Sequence, residues 1–115
     1  MKTILVVDDD PDIRLACQDR LERWGYVVHS VASGEEALAL LSRHQIHAML
    51  LDLHLPGLEG LEVLRLIREQ DLAFPILLMS ASHSGQPNKL MGANGAQGFL
   101  PKPFENIELE YWVRR

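Results

Sequence analysis

The sequence predicts a single α/β domain built on a doubly wound parallel sheet, and three observations support that prediction. Short apolar runs alternate with segments of helical period along the chain. The runs at 4–7, 48–51 and 76–79 contain no polar residue, as befits strands covered on both faces. A length of 115 residues leaves room for one core, so residues 1–115 form one domain with no second lobe.

The elements follow in order. Ile4 to Val7 is rich in β-branched residues and reads as the first strand. Asp10 then caps a helix whose first position is Pro11 and whose stop is Gly25. Ile13, Ala16, Cys17, Leu21 and Trp24 make its apolar face. Tyr26 to Val31 is the second strand, and Ser33 with Glu36 forms a capping box before a helix that turns Ala37, Leu38 and Leu41 inward. Ile46 to Leu51 is the third strand, Leu55-Pro56-Gly57 a turn, and Gly60 to Glu69 a helix with Leu61, Leu64 and Ile67 on its face. Gly57 and Gly60 read as turn and helix-entry residues. Pro75 opens the fourth strand, Ile76 to Met79; Gln97 to Leu100 is the fifth, and Ile107 to Arg114 a final helix. Between them, Gly85, Pro87, Gly92 and Gly95 disfavour a long helix, so any fourth helix is short or irregular and 84–95 is expected to be mobile.

Composition narrows the function. The chain is 47% hydrophobic and 23% charged, the balance of a soluble globular domain. Net charge is −5 with no Lys/Arg run, which argues against direct nucleic-acid binding. Cys17 is the only cysteine, so no intramolecular disulfide can form; a reducing compartment and a core role fit it. The apolar run near the N-terminus ends at Asp8-Asp9-Asp10, too soon for a signal peptide, and no run reaches membrane-spanning length. A cytoplasmic location with no membrane partner is expected.

The polar residues that break this pattern share one feature. Asp8 and Asp9 follow the first strand, Asp52 the third, Ser80 the fourth and Lys102 the fifth. In an open parallel sheet all carboxyl ends meet at one edge, where ligands bind. Scattered loop polarity explains any one of these residues, but the five together poorly. Three carboxylates repel unless a cation joins them, and Mg2+ takes carboxylate, water and phosphate oxygens. His29, His44, His47, His54 and His83 show no ligand spacing for a softer metal. Ser80 and Lys102 add a donor and a positive charge suited to phosphate oxygens. The whole is a phosphoryl-transfer constellation.

Four segments extend this reading: Ile4-Leu5-Val6-Val7-Asp8-Asp9-Asp10, Leu51-Asp52-Leu53-His54-Leu55-Pro56-Gly57-Leu58-Glu59-Gly60, Met79-Ser80-Ala81 and Phe99-Leu100-Pro101-Lys102-Pro103-Phe104. In this order and spacing the chain resembles the receiver domain of bacterial two-component response regulators over nearly its whole length. The resemblance implies a flavodoxin-like five-stranded sheet of order 2-1-3-4-5 with helices on both faces. It implies a phosphorelay switch rather than an enzyme: a phosphoacceptor that assists its own phosphorylation and dephosphorylation. Asp52 is then the acceptor, taking its phosphoryl group from a phosphohistidine on a sensor histidine kinase. Asp9 binds Mg2+ directly, Asp8 largely through water, and Asp52 and the backbone carbonyl of His54 complete the protein ligands. Ser80 and Lys102 meet the phosphoryl oxygens. Phe99 is either core or an aromatic that changes rotamer with Ser80. His54 and Ser82 flank the path of the hydrolytic water, and the Lys102–Pro103 peptide bond matches the family's cis bond. An output domain or downstream protein reads the switch, and a homodimer is among the assemblies left open.

Two rivals stand beside it. Asp8, Asp10 and Asp12 mimic the Asp-x-Asp-x-Thr/Val motif of haloacid-dehalogenase-type phosphatases, although Asp12 is neither Thr nor Val. The other rival is an unphosphorylated interaction module with a relic pocket, against which the intact set of five stands.

Overall fold

Ile4, Leu5, Val6 and Val7 are all buried because successive side chains of a strand point to opposite faces and both faces here carry a core. The computed structural model describes residues 2–80, 96–102 and 106–113. The strands are β1 (Thr3–Val7), β2 (Val27–Val31), β3 (Ala48–Asp52), β4 (Ile76–Ser80) and β5 (Gly98–Pro101). They form one five-stranded sheet in the order β2-β1-β3-β4-β5, and every pair is parallel. This is the doubly wound α/β architecture that the periodicity implied.

On one face, Leu5, Val7, Met49, Leu51, Ile76 and Leu78 pack with Ala37, Val63, Leu64 and Ile67 from helices α2 (Gly34–Leu41) and α3 (Gly60–Glu69). On the other, Ile4, Val6, Val28, Leu50, Leu77, Met79 and Leu100 pack with Cys17 and Leu21 of α1 (Pro11–Arg23) and with Leu109 of the helix Asn106–Val113. Each large aliphatic side chain buried this way contributes roughly 1.5–3 kcal/mol.

The local signals act as expected. Asp10 accepts the Asp12 N–H at 2.9 Å, with Pro11 next to it at the head of α1. Gly25 closes α1 at φ 97°, a conformation that favours glycine. Ser33 accepts the Glu36 N–H at 3.2 Å, the N-cap bond of the capping box, and its hydroxyl donates to the Glu36 carboxylate at 3.1 Å.

Two packing expectations are corrected. The buried stripe of α3 runs Gly60, Val63, Leu64, Ile67, and Leu61 is 37% exposed. The stripe has its register from Gly60, which packs on strand backbone, so Val63 and not Leu61 faces inward. On α1, Ala16 is exposed, because the buried line follows Cys17 and Leu21. β5 starts at Gly98, one residue later than its apolar pattern suggests. Gln97 instead uses its side-chain oxygen to accept the Ile76 N–H at 2.9 Å. The segment 84–95, on which the expectation of a short or irregular fourth helix falls, Ser82, His83 and the Lys102–Pro103 bond lie outside the described residues.

Candidate functional site

Three strands end within reach of one another, so their terminal residues share one pocket. β1 pairs with β3 in the register Val7↔Leu51, and β3 with β4 as Asp52↔Met79. Asp8 therefore follows β1 directly beside Asp52, the last residue of β3. Ser80, the last residue of β4, is fully buried, and its carbonyl accepts the Lys102 N–H at 2.8 Å. That bond carries the β4–β5 pairing past Pro101 and aims Lys102 across the sheet edge.

Lys102 Nζ lies 2.6 Å from Asp8 Oδ2 and 3.1 Å from Asp52 Oδ2. The ammonium thus bridges the two carboxylates that the sheet buries. Asp8 is 0% exposed and Asp52 3%. The other Asp8 oxygen accepts the Asp10 N–H at 2.9 Å, and Asp52 Oδ1 accepts the His54 N–H at 3.1 Å. Asp9 is exposed, and its carboxylate oxygen lies within 4.8 Å of one from Asp8 and one from Asp52. Three hard carboxylate oxygens at such spacing, open to water on one side, suit Mg2+ and not a metal that prefers sulfur or imidazole.

The electrostatics follow from burial. Burial raises the Asp52 pKa above its ordinary value; the His54 N–H opposes this, the Asp8 charge adds to it and Lys102 opposes it. Burial pulls the Lys102 pKa down, but its hydrogen bond to Asp8 and the charges of Asp8 and Asp52 outweigh that and raise it. Lys102 is therefore a firm cation at neutral pH. Cys17 lies behind this pocket, and burial followed by the Asp8 charge pushes its thiol up to about 11. It is an inert core residue, as its helical position suggests.

Asp8, Asp9, Asp52 and Lys102 are thus brought together, with Ser80 at the adjoining strand end. Phe99, on β5, pairs with Leu78 of β4 and is half-buried against the α2–α3 core. His54 is exposed on the loop after β3. Among the other histidines, His47 accepts the Thr3 N–H at 2.9 Å through Nδ1, a structural role. The rings of His29 and His44 meet at 4.8 Å, a contact that sequence spacing did not reveal. Sequence reasoning also missed Arg14, whose guanidinium donates to the Asp8 carbonyl at 2.7 Å. The available signal was a cation in the first turn of a helix, where the dipole disfavours it.

The family model described as "Response regulator receiver domain" matches residues 4–114. The chain belongs to the response-regulator receiver family. Among curated receiver-bearing proteins, it is 40% identical over 114 residues to the alkaline phosphatase synthesis transcriptional regulatory protein PhoP of Bacillus subtilis, covering 98% of this chain and 47% of that protein. The chain spans about half the length of the curated relatives it matches. Among solved receiver structures, the chemotaxis protein CheY4 of Vibrio cholerae superposes with a TM-score of 0.92 at 32% identity, covering 100% of this chain and 98% of that one. The response regulator TrrA of Thermotoga maritima, in complex with Mg2+ and BeF, gives a TM-score of 0.88 at 35% identity, covering 99% and 97%. This receiver's sheet order agrees with the resemblance. The family match favours the receiver reading over the phosphatase alternative, and the Asp10 carboxylate is engaged in capping α1.

Proposed function

We propose that this receiver is a phosphorylation switch in which Asp52 accepts a phosphoryl group from the phosphohistidine of a sensor kinase. The observation that carries this reading is the Asp52 carboxylate, buried at a strand end with one ammonium and two further carboxylates around it. Asp9, Asp52 and the His54 carbonyl would hold Mg2+, with Asp8 assisting through water, and the bound ion would supply charge neutralisation for the phosphoryl oxygens. Asp52 provides the attacking oxygen, and the His54 N–H orients it from the other side. Lys102 is placed to exchange its hold on Asp52 for the incoming phosphoryl oxygens. In this reading Ser80 donates to the same group, and Phe99, on the adjoining strand, follows it. An output domain or downstream protein reads the change in a cytoplasmic setting; no described helix is long and apolar enough to cross a membrane.

Beryllofluoride with Mg2+ is the direct test, followed by amide shifts. Tryptophan fluorescence is poorly placed for it, since Trp24 and Trp112 pack near the amino ends of the strands. Shifts should concentrate at Asp8–Asp10, Asp52–His54, Ser80 and Lys102; a spectrum unmoved by saturating Mg2+ and beryllofluoride sinks the reading. Asp9→Ala should weaken Mg2+ more than Asp8→Ala, because Asp9 is exposed to solvent while Asp8 is buried and paired with Lys102.

Acid should act on the same carboxylate. Since the Asp52 pKa is raised, protons should displace Mg2+ at a pH above the ordinary aspartate value of about 3.9. Stability has the opposite sign. Between the unfolded and folded pKa the folded state binds more protons at Asp52, so its contribution to stability falls as pH rises through that window. In metal-free protein Asp52→Asn should remove this dependence, and an unchanged pH profile would count against Asp52 as its source.

A further inference from the structure

We propose that Arg14 is a positioning residue that sets the Asp9 carboxylate over the pocket by clamping the peptide before it. The proposal rests on the Mg2+-dependent switch reading above, and it adds a residue which that reading does not use. Asp8 is held at every polar atom. Its N–H donates to the Val31 carbonyl at 3.2 Å, one carboxylate oxygen accepts from Asp10 and the other from Lys102. Its carbonyl accepts the Arg14 guanidinium at 2.7 Å. Asp9 is exposed by contrast, and its place depends on the backbone either side of it. Arg14 bonds to both sides: its side chain to the Asp8 carbonyl, and its own N–H to the Asp10 carbonyl at 3.1 Å. One residue therefore brackets the Asp8–Asp10 triplet. A charge-assisted bond to a part-buried carbonyl is among the stronger hydrogen bonds, and it resists rotation of the Asp8–Asp9 peptide. Such outer partners of a ligand commonly govern metal affinity by about 10–100-fold.

The sign of the effect separates positioning from charge. Arg14 is a cation beside a cation site, so on electrostatics alone its removal should tighten Mg2+ binding. Positioning requires the reverse. We expect Arg14→Ala to weaken Mg2+ about tenfold or more in a titration followed by Asp9 and Asp10 amide shifts. Beryllofluoride binding should return to the wild-type level once Mg2+ is saturating. Arg14→Gln, which keeps a donor without the charge, should recover part of the affinity. In the metal-free protein the Asp9 amide of Arg14→Ala should exchange faster than that of wild type. Unchanged or tighter Mg2+ binding in both variants overturns the proposal. If Arg14→Ala does not fold, Arg14→Gln alone decides it, by a weakened or an unweakened Mg2+ affinity. Wild-type protein that binds no Mg2+ would defeat the switch reading itself, a result distinct from failure of the Arg14 clamp.

Discussion

Asp52→Asn should not be labelled by acetyl phosphate, while keeping the wild-type fold. The amide can occupy the same space at the end of β3 and still accept the His54 N–H that now bonds Asp52 Oδ1 at 3.1 Å. It cannot supply the anionic oxygen that forms an acyl phosphate. Stability should hold or rise in the absence of metal. Burial raises the Asp52 pKa, which means that the ionised form is disfavoured in the folded pocket. A neutral side chain relieves that cost and the repulsion from Asp8, although Lys102 loses one of its two carboxylates. Lys102 keeps Asp8 at 2.6 Å, so no buried charge is left unpaired. Intact-mass measurement after incubation with acetyl phosphate and Mg2+ should show no phosphorylated species, and thermal unfolding should show a midpoint no lower than wild type. Labelling at the wild-type rate would place the acceptor elsewhere, with exposed Asp9 the first residue to map. A large fall in the midpoint would instead mean that the Asp52–Lys102 pair holds the strand ends together.

Much of this pocket was legible because it rests on rules that operate over a few residues or over a whole sheet. Uninterrupted apolar strands imply two covered faces, and parallel strands put Asp8, Asp52, Ser80 and Lys102 at one edge. Caps at Asp10 and Ser33 are local and were readable for that reason. What escaped depends on side-chain reach and shape. Nothing in the spacing shows that Arg14 turns back to the Asp8 carbonyl, or that Lys102 spans two carboxylates. Hydrophobicity alone turns Leu61 inward, whereas the buried stripe of α3 includes Gly60, which has no side chain to count. The tilted contact between the rings of His29 and His44 likewise joins β2 to the segment after α2.

Gly60→Ala should destabilise the domain and disturb the pocket together. A Cβ on Gly60 would lie 2.2 Å from the Asp52 carbonyl oxygen and 2.7 Å from the Leu53 Cα. Both are backbone atoms, so no flexible side chain can swing away. Gly60 also donates its N–H to the Leu53 carbonyl at 3.1 Å, which seats the start of α3 directly on the strand that ends in Asp52. Adding the methyl must push α3 off this seat or bend the segment at Asp52 and Leu53. Overpacking of this kind costs roughly 1–3 kcal/mol. The backbone setting is not a source of relief, since Gly60 shows no positive φ that alanine would have to leave. The cost is purely one of space, unlike that at Gly57, where φ is 70°. Moving α3 also moves Val63, which packs against Gly34 closely enough that a Cβ there would meet its Cγ2 at 2.4 Å. The disturbance should therefore spread to the α2–α3 contact. Denaturant unfolding should register the lost stability, and amide shifts of Asp52, Leu53 and His54 should move in the metal-free protein. Beryllofluoride binding should weaken in parallel, because the His54 N–H and carbonyl lie on the displaced segment. Wild-type stability with unmoved Asp52 and Leu53 amides would mean that α3 shifts freely, and that Gly60 is a helix-entry residue without a hold on the phosphoacceptor.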